Sequence, residues 1–157
     1  LENCFIKYQN SAIHYLRFGN PNALHFLVTF SGYSDAAQAY KVLNPVFEAA
    51  QYCIIGIDMP HHGNTVWKEN QFTYNDLQMI LSTILAKENI KKFECMGFSY
   101  GGRLILSFLE DFAPRIERLW LLAPEGLVSK WVSAAGRLPL WLRRRLTNWL
   151  QQPEIFL

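Results

Sequence analysis

Lys92-Phe93-Glu94-Cys95-Met96-Gly97-Phe98-Ser99-Tyr100-Gly101-Gly102-Arg103 governs how the rest of the chain is read. A short strand-like run ends in Gly-Phe-Ser-Tyr-Gly, and a helix-like run, Arg103 followed by Leu104-Ile105-Leu106-Ser107-Phe108-Leu109, begins at once. G-x-S-x-G between a strand and a helix is the pattern of a nucleophile elbow. The serine sits at the tip of a sharp turn, in a backbone conformation that costs energy. Strand and helix pass so close that a side chain at either glycine would collide, and Gly97 and Gly101 meet that demand. The motif alone is short; its strand–turn–helix setting is what gives it weight.

Reading outward, residues 4–8 and 12–18 form two short strand patterns around a Gln9-Asn10-Ser11 turn, an opening hairpin. Residues 23–30 are a nearly continuous apolar run, fit for a strand buried on both faces, and end in Ser31-Gly32-Tyr33-Ser34-Asp35. Asp35 is placed to cap a helix over residues 36–51, which Pro45 kinks or divides. Residues 53–59 form the next buried strand, followed by Pro60-His61-His62-Gly63-Asn64-Thr65. A helix is predicted over residues 74–88, with Thr73 as cap, Asp76 in the capping-box position, and Leu77, Ile80, Leu81, Ile84 and Leu85 as its apolar stripe. Residues 118–123 give one more strand. Hairpin, strand, helix, strand, helix, strand, helix, strand specifies an α/β domain with a mainly parallel sheet. Such sheets bind ligands beyond the carboxyl ends of their strands. Ser99, Gly32-Tyr33, the His61-His62 loop and Glu125 all fall there.

At this point residues 1–126 resemble the α/β-hydrolase superfamily. Phe30-Ser31-Gly32-Tyr33 is similar to the family's His-Gly-x oxyanion turn, with Ser31 in the histidine's place. Residues 58–65, Asp58-Met59-Pro60-His61-His62-Gly63-Asn64-Thr65, are similar to its D-x-P-G-H-G-x-S turn, with His61 replacing the first glycine and Thr65 the serine. Gly97 to Gly101 matches the elbow without change. The resemblance implies an α/β-hydrolase fold: a mainly parallel sheet with an N-terminal β-hairpin and helices on both faces, lacking the C-terminal strands. It implies Ser99 as nucleophile on an ester or related acyl bond, through an acyl-enzyme. It also implies an oxyanion hole formed by the backbone N–H groups of Tyr33 and Tyr100. No metal or organic cofactor is implied, and the partner is a small-molecule acyl substrate.

A serine hydroxyl needs an adjacent base, and the family order is Ser, then Asp or Glu, then His. The four histidines, His14, His25, His61 and His62, all precede Ser99. His14 and His25 lie in strand patterns and read as ordinary strand residues; His62 matches a structural family position. Either loop histidine remains an alternative base, since different chain orders build one triad geometry. Glu125 is the candidate acid, the other reading being a loop carboxylate or helix-start residue. Asp58 reads as holding its own loop through local backbone hydrogen bonds.

The chain has 157 residues, half of them hydrophobic, enough for one domain with a sizeable core. Net charge is +2, which gives no argument for nucleic acid. Residues 1–126 carry ten Lys/Arg and twelve Asp/Glu, whereas residues 127–157 carry five basic residues and one acid. Cys4, Cys53 and Cys95 lack metal-ligand spacing and read as buried thiols of a reducing compartment, here the cytoplasm. No apolar run reaches the length of a membrane span and no signal peptide is visible. Residues 127–157, with Trp131, Trp141, Trp149 and the Arg143-Arg144-Arg145 run, are read as the start of a helical cap; contact with a membrane surface is the alternative. The expectation is therefore the N-terminal part of a hydrolase, inactive alone, completed in the same polypeptide or by a second chain. The rival is a non-catalytic binding or interaction module of the same fold.

Overall fold

Strands of six to nine residues, bounded by turn signals, form the sheet of the computed structural model, which describes residues 1–125. The cap expected over residues 127–157 lies outside the described residues. Strands β1 (Glu2–Tyr8) and β2 (Ser11–Gly19) are an antiparallel hairpin closed at Gln9-Asn10, with Tyr8 paired to Ser11. Then come β3 (His25–Phe30), a 3-10 helix (Ala37–Leu43) running into α1 (Asn44–Ala49), β4 (Tyr52–Ile57), α2 (Tyr74–Lys87), β5 (Phe93–Phe98), α3 (Tyr100–Phe112) and β6 (Ile116–Leu122). The sheet order is β1-β2-β4-β3-β5-β6, with β3, β4, β5 and β6 mutually parallel. Each predicted strand is present, with ends moved by one or two residues.

Successive strand residues point to opposite faces, and this alternation splits the interior into two clusters. Val28, Phe30, Ile55, Ile57 and Cys95 face α2 and α3, in a cluster that includes Leu81, Ile84, Ile105 and Phe108. Leu27, Ile54 and Met96 face the other way, with Ala37 and Tyr40 of the 3-10 helix. Helices thus cover both faces. Burial pushes the Cys95 thiol up, so it is an inert core group rather than a nucleophile. On β6, at the sheet's edge, Trp120 and Leu122 are partly exposed.

The helix predicted over residues 36–51 is divided, and its cap differs. Asp35 does not cap it: Ala36 is the N-cap residue and has no side-chain cap bond. The carboxylate of Asp58 takes the Ala37 N–H instead, at 2.7 Å. Pro45 stands in the first turn of α1, where its missing N–H costs nothing. The α2 prediction holds in detail. Thr73 and Asp76 form a reciprocal capping box, and the five stripe residues are buried.

Thr73→Ala is expected to lower unfolding free energy by about 1 kcal/mol. Leu81→Ala, at a fully buried position, is expected to cost roughly 2–5 kcal/mol. Urea unfolding of the two variants checks both values and their order.

Candidate active site

Ser99 stands between the last residue of β5 and the first of α3, with φ 52° and ψ −113°. This lies outside the regions open to most L-residues and costs about 1–3 kcal/mol. The turn is held on both sides. The Ser99 N–H donates to the Leu122 carbonyl at 2.9 Å, while the Ser99 carbonyl accepts from Gly102 and Glu125, each at 3.0 Å. Close approach explains the two motif glycines. A Cβ on Gly97 would lie 2.6 Å from the Gly101 carbonyl carbon, and one on Gly101 would overlap the Phe30 carbonyl oxygen. Gly102, not singled out by the motif, is equally confined: its Cβ would lie 2.6 Å from that of Pro124.

The same contact brings the Ser31-Gly32-Tyr33 turn to the elbow. A Cβ on Gly32 would meet the Phe98 ring at 3.1 Å, and the Tyr33 and Tyr100 rings meet edge-on with centroids 6.0 Å apart. Among the described residues, the backbone N–H groups of Tyr33 and Tyr100 donate to no other backbone group. The Tyr100 N–H opens α3, where free amides and the helix dipole favour negative charge. Burial pushes the Tyr100 phenol up, with the Arg103 guanidinium working against it. That side chain is a neutral wall. The Ser31 hydroxyl, in place of the expected histidine, is buried without a hydrogen-bond partner among the described residues.

Glu125 is brought to Ser99 directly: the Ser99 hydroxyl donates to Glu125 Oε1 at 3.2 Å. No imidazole bonds to Ser99 among the described residues. His62 is engaged elsewhere, with Nδ1 2.8 Å from the Pro60 carbonyl oxygen and Nε2 against the Tyr33 carbonyl oxygen. His61 occupies a left-handed turn position at φ 66°, and His25 packs on the Tyr52 ring. His14, which reads in sequence as an ordinary strand residue, is 1% exposed and lies 2.7 Å from the Asp58 carboxylate, itself 3% exposed. Asp58 holds its own loop through Asn64, as expected, but also reaches Ala37 and His14. Nothing in the spacing of residues 14, 37 and 58 signals that convergence, because three separate elements supply it.

The neighbours of Ser99 line different cavities. Phe98 lines an apolar one of about 230 Å³ with Gly32, Tyr40, Leu43 and Leu122. Tyr100 lines another of about 260 Å³ with Phe72, Leu77, Arg103 and Leu104.

A strained serine at a strand–helix turn, glycines on both sides and a parallel sheet behind it define a class. The chain belongs to the alpha/beta hydrolase fold family, whose model matches residues 23–155. A Bacillus subtilis (strain 168) protein named "Putative 2-succinyl-6-hydroxy-2,4-cyclohexadiene-1-carboxylate synthase" is 28% identical over 103 residues, covering 64% of this chain and 37% of that protein. A probable hydrolytic enzyme from Pseudomonas aeruginosa PAO1 superposes with a TM-score of 0.73 at 21% identity, over 93% of this chain and 49% of that one. The Paleococcus ferrophilus monoacylglycerol lipase gives 0.64 at 18% identity, over 90% and 52%. The structural likenesses establish the fold. The chain spans between about a third and a half of the length of these relatives. No helix among the described residues is long and apolar enough to cross a membrane.

Ser99→Gly is expected to be about 1 kcal/mol more stable than Ser99→Ala in urea unfolding, because glycine adopts the φ of 52° without strain. Gly101→Ala should lose cooperative unfolding or become insoluble. A Ser99→Gly variant no more stable than Ser99→Ala would remove the strain argument.

Proposed function

We propose that this chain supplies the nucleophile and oxyanion hole of a serine hydrolase acting on an ester or related acyl bond. The observation that carries the reading is Ser99 at positive φ, with Gly97 and Gly101 allowing α3 to close against the Phe30–Ser31 backbone. In this reading the Ser99 hydroxyl oxygen attacks the acyl carbon of a small-molecule substrate and its proton passes to a base. The carbonyl π pair moves onto oxygen, and the amides of Tyr33 and Tyr100 stabilise the resulting oxyanion. Collapse breaks the bond to the leaving group, which takes the proton and departs, leaving an acyl-serine that water hydrolyses. Each oxyanion donor in such sites contributes about 10²–10³ in rate.

The base, in the proposal, comes from outside residues 1–125, from the same polypeptide or a second chain. Support comes from the engagement of His14 and His62 with other partners and from relatives about twice as long or longer. Glu125 then holds and orients the Ser99 hydroxyl, or contacts an imidazole that inserts between them. The Bacillus subtilis relative carries a synthase's name, so hydrolysis here rests on the elbow and not on that likeness. A second reading, a binding module without catalysis, is favoured by a carboxylate rather than an imidazole bonded to Ser99.

A fluorophosphonate probe separates the two readings. The full-length protein is expected to be labelled covalently, and Ser99→Ala is expected to abolish labelling. An unlabelled protein, or labelling that survives Ser99→Ala, sinks the hydrolase reading and leaves the binding module.

A further inference from the structure

The oxyanion turn has no regular secondary structure of its own: residues 31–36 lie between β3 and the 3-10 helix. It is nevertheless held at three points. Upstream, the Tyr40 hydroxyl donates to the Phe30 carbonyl oxygen at 2.8 Å. In the middle, the Tyr33 carbonyl oxygen meets His62 Nε2. Downstream, the Ala37 N–H donates to Asp58 Oδ1 at 2.7 Å. The last two anchors both come from the segment that follows β4, and Asp58 fixes that segment too. Its Oδ2 accepts from the Asn64 N–H at 2.9 Å, and its backbone carbonyl accepts from the Thr65 hydroxyl at 2.6 Å.

One buried carboxylate thus sets the spacing of two loops, and His14 sets the carboxylate. His14 Nδ1 lies 2.7 Å from Asp58 Oδ2, and Nε2 lies 3.0 Å from Asn3 Oδ1. A nitrogen facing a carboxylate at that distance carries the proton, so Nδ1–H donates. The backbone repeats the link: Asp58 N–H donates to the His14 carbonyl at 3.0 Å, and His14 N–H donates to the Thr65 hydroxyl at 2.9 Å. A hydrogen bond between groups exposed by only 1% and 3% is not diluted by solvent, and a carboxylate bonded on both oxygens has a fixed plane.

We propose that His14 and Asp58 are positioning residues for the oxyanion hole: His14 orients Asp58, and Asp58 fixes the turn that presents the Tyr33 amide. Neither touches substrate. Their effect falls on the developing oxyanion and not on ground-state binding, because a small displacement of a preorganised donor matters where charge appears. The inference rests on Ser99 as nucleophile.

The test uses the full-length protein, a fluorophosphonate probe and p-nitrophenyl acetate, at temperatures where each variant is folded by circular dichroism. His14→Leu keeps the volume and removes the donor; Asp58→Asn keeps one acceptor. Both are expected to slow labelling and lower kcat by roughly tenfold or more, with KM within about twofold. His14→Asn, whose amide nitrogen falls near the Nδ1 position, is expected to restore most of the rate. A merely structural pair would lower the unfolding temperature without slowing labelling below the transition, and that result overturns the proposal. Should His14→Leu fail to fold, His14→Asn and His14→Gln carry the test. Asn donates where Nδ1 does and Gln where Nε2 does, so Asn must label faster. Equal rates, or failure of all three variants to fold, assign the pair a structural role alone. Labelling that depends on Ser99 but is indifferent to His14 defeats only this inference. Labelling that does not depend on Ser99 defeats the hydrolase reading, and the inference falls with it.

Discussion

The start of α3 lies against the end of β3 with no side chain between them. Gly101 faces the Phe30 carbonyl oxygen so closely that a single methyl group would overlap it. Because β5 is flanked by β3 and β6, a chain leaving β5 and returning over the sheet at that range must turn within one residue. Ser99 makes the turn at φ 52°. Its strain, about 1–3 kcal/mol, is opposed by the face of α3 that the turn allows to dock. Leu104, Ile105, Phe108 and Phe112 are buried there, each contributing roughly 1.5–3 kcal/mol as an upper estimate. Packing outweighs strain, so the half-buried serine is held in a backbone conformation it would not choose locally.

The same contact decides what stands beside the serine. Gly101 reaches the end of β3, so the turn that follows β3 is placed next to the elbow, and the Tyr33 and Tyr100 rings meet. The turn's position along the sheet edge is then limited by its anchors, two of which come from the segment after β4. Two strands and two loops thereby share one buried carboxylate, Asp58, and one imidazole, His14. The elbow contributes proximity through backbone contact, and the Asp58 group contributes orientation through hydrogen bonds.

Much of this was legible in the sequence where one local rule decides the outcome. Short apolar runs between turn residues point to the strands. The Thr73 and Asp76 spacing points to the α2 cap, and the glycines around Ser99, together with residues 30–33 and 58–65, carry the family resemblance. The cap before Ala37 was misread because Asp35 satisfies the local rule, while the structure uses a carboxylate 21 residues away. His14 was read as an ordinary strand residue for the same reason: its partner lies 44 residues on. Local patterns specify backbone geometry well. They are silent on which distant side chain supplies a buried bond, since many carboxylates in a chain could serve and only the folded topology selects one.

Among the described residues, Ser99 is held at its φ by the hydrogen bond from its N–H to the Leu122 carbonyl and by its own carbonyl, which accepts from Gly102 and Glu125. In the hydrolase reading, no imidazole among the described residues takes part in placing the nucleophile. This separation has a physical logic. Proton transfer tolerates side-chain motion, because an imidazole on a mobile loop can reach its partner when substrate binds. An oxyanion hole does not, since its donors must already point at the place where charge will develop. In the hydrolase reading, a fold that builds nucleophile and oxyanion donors from strand ends, tight glycine contacts and a buried, hydrogen-bonded carboxylate puts rigidity where the transition state needs it. The direct bond from the Ser99 hydroxyl to Glu125 fits the same division. It holds the hydroxyl from the neighbouring strand end, and in the proposed reaction proton removal falls to a group outside residues 1–125.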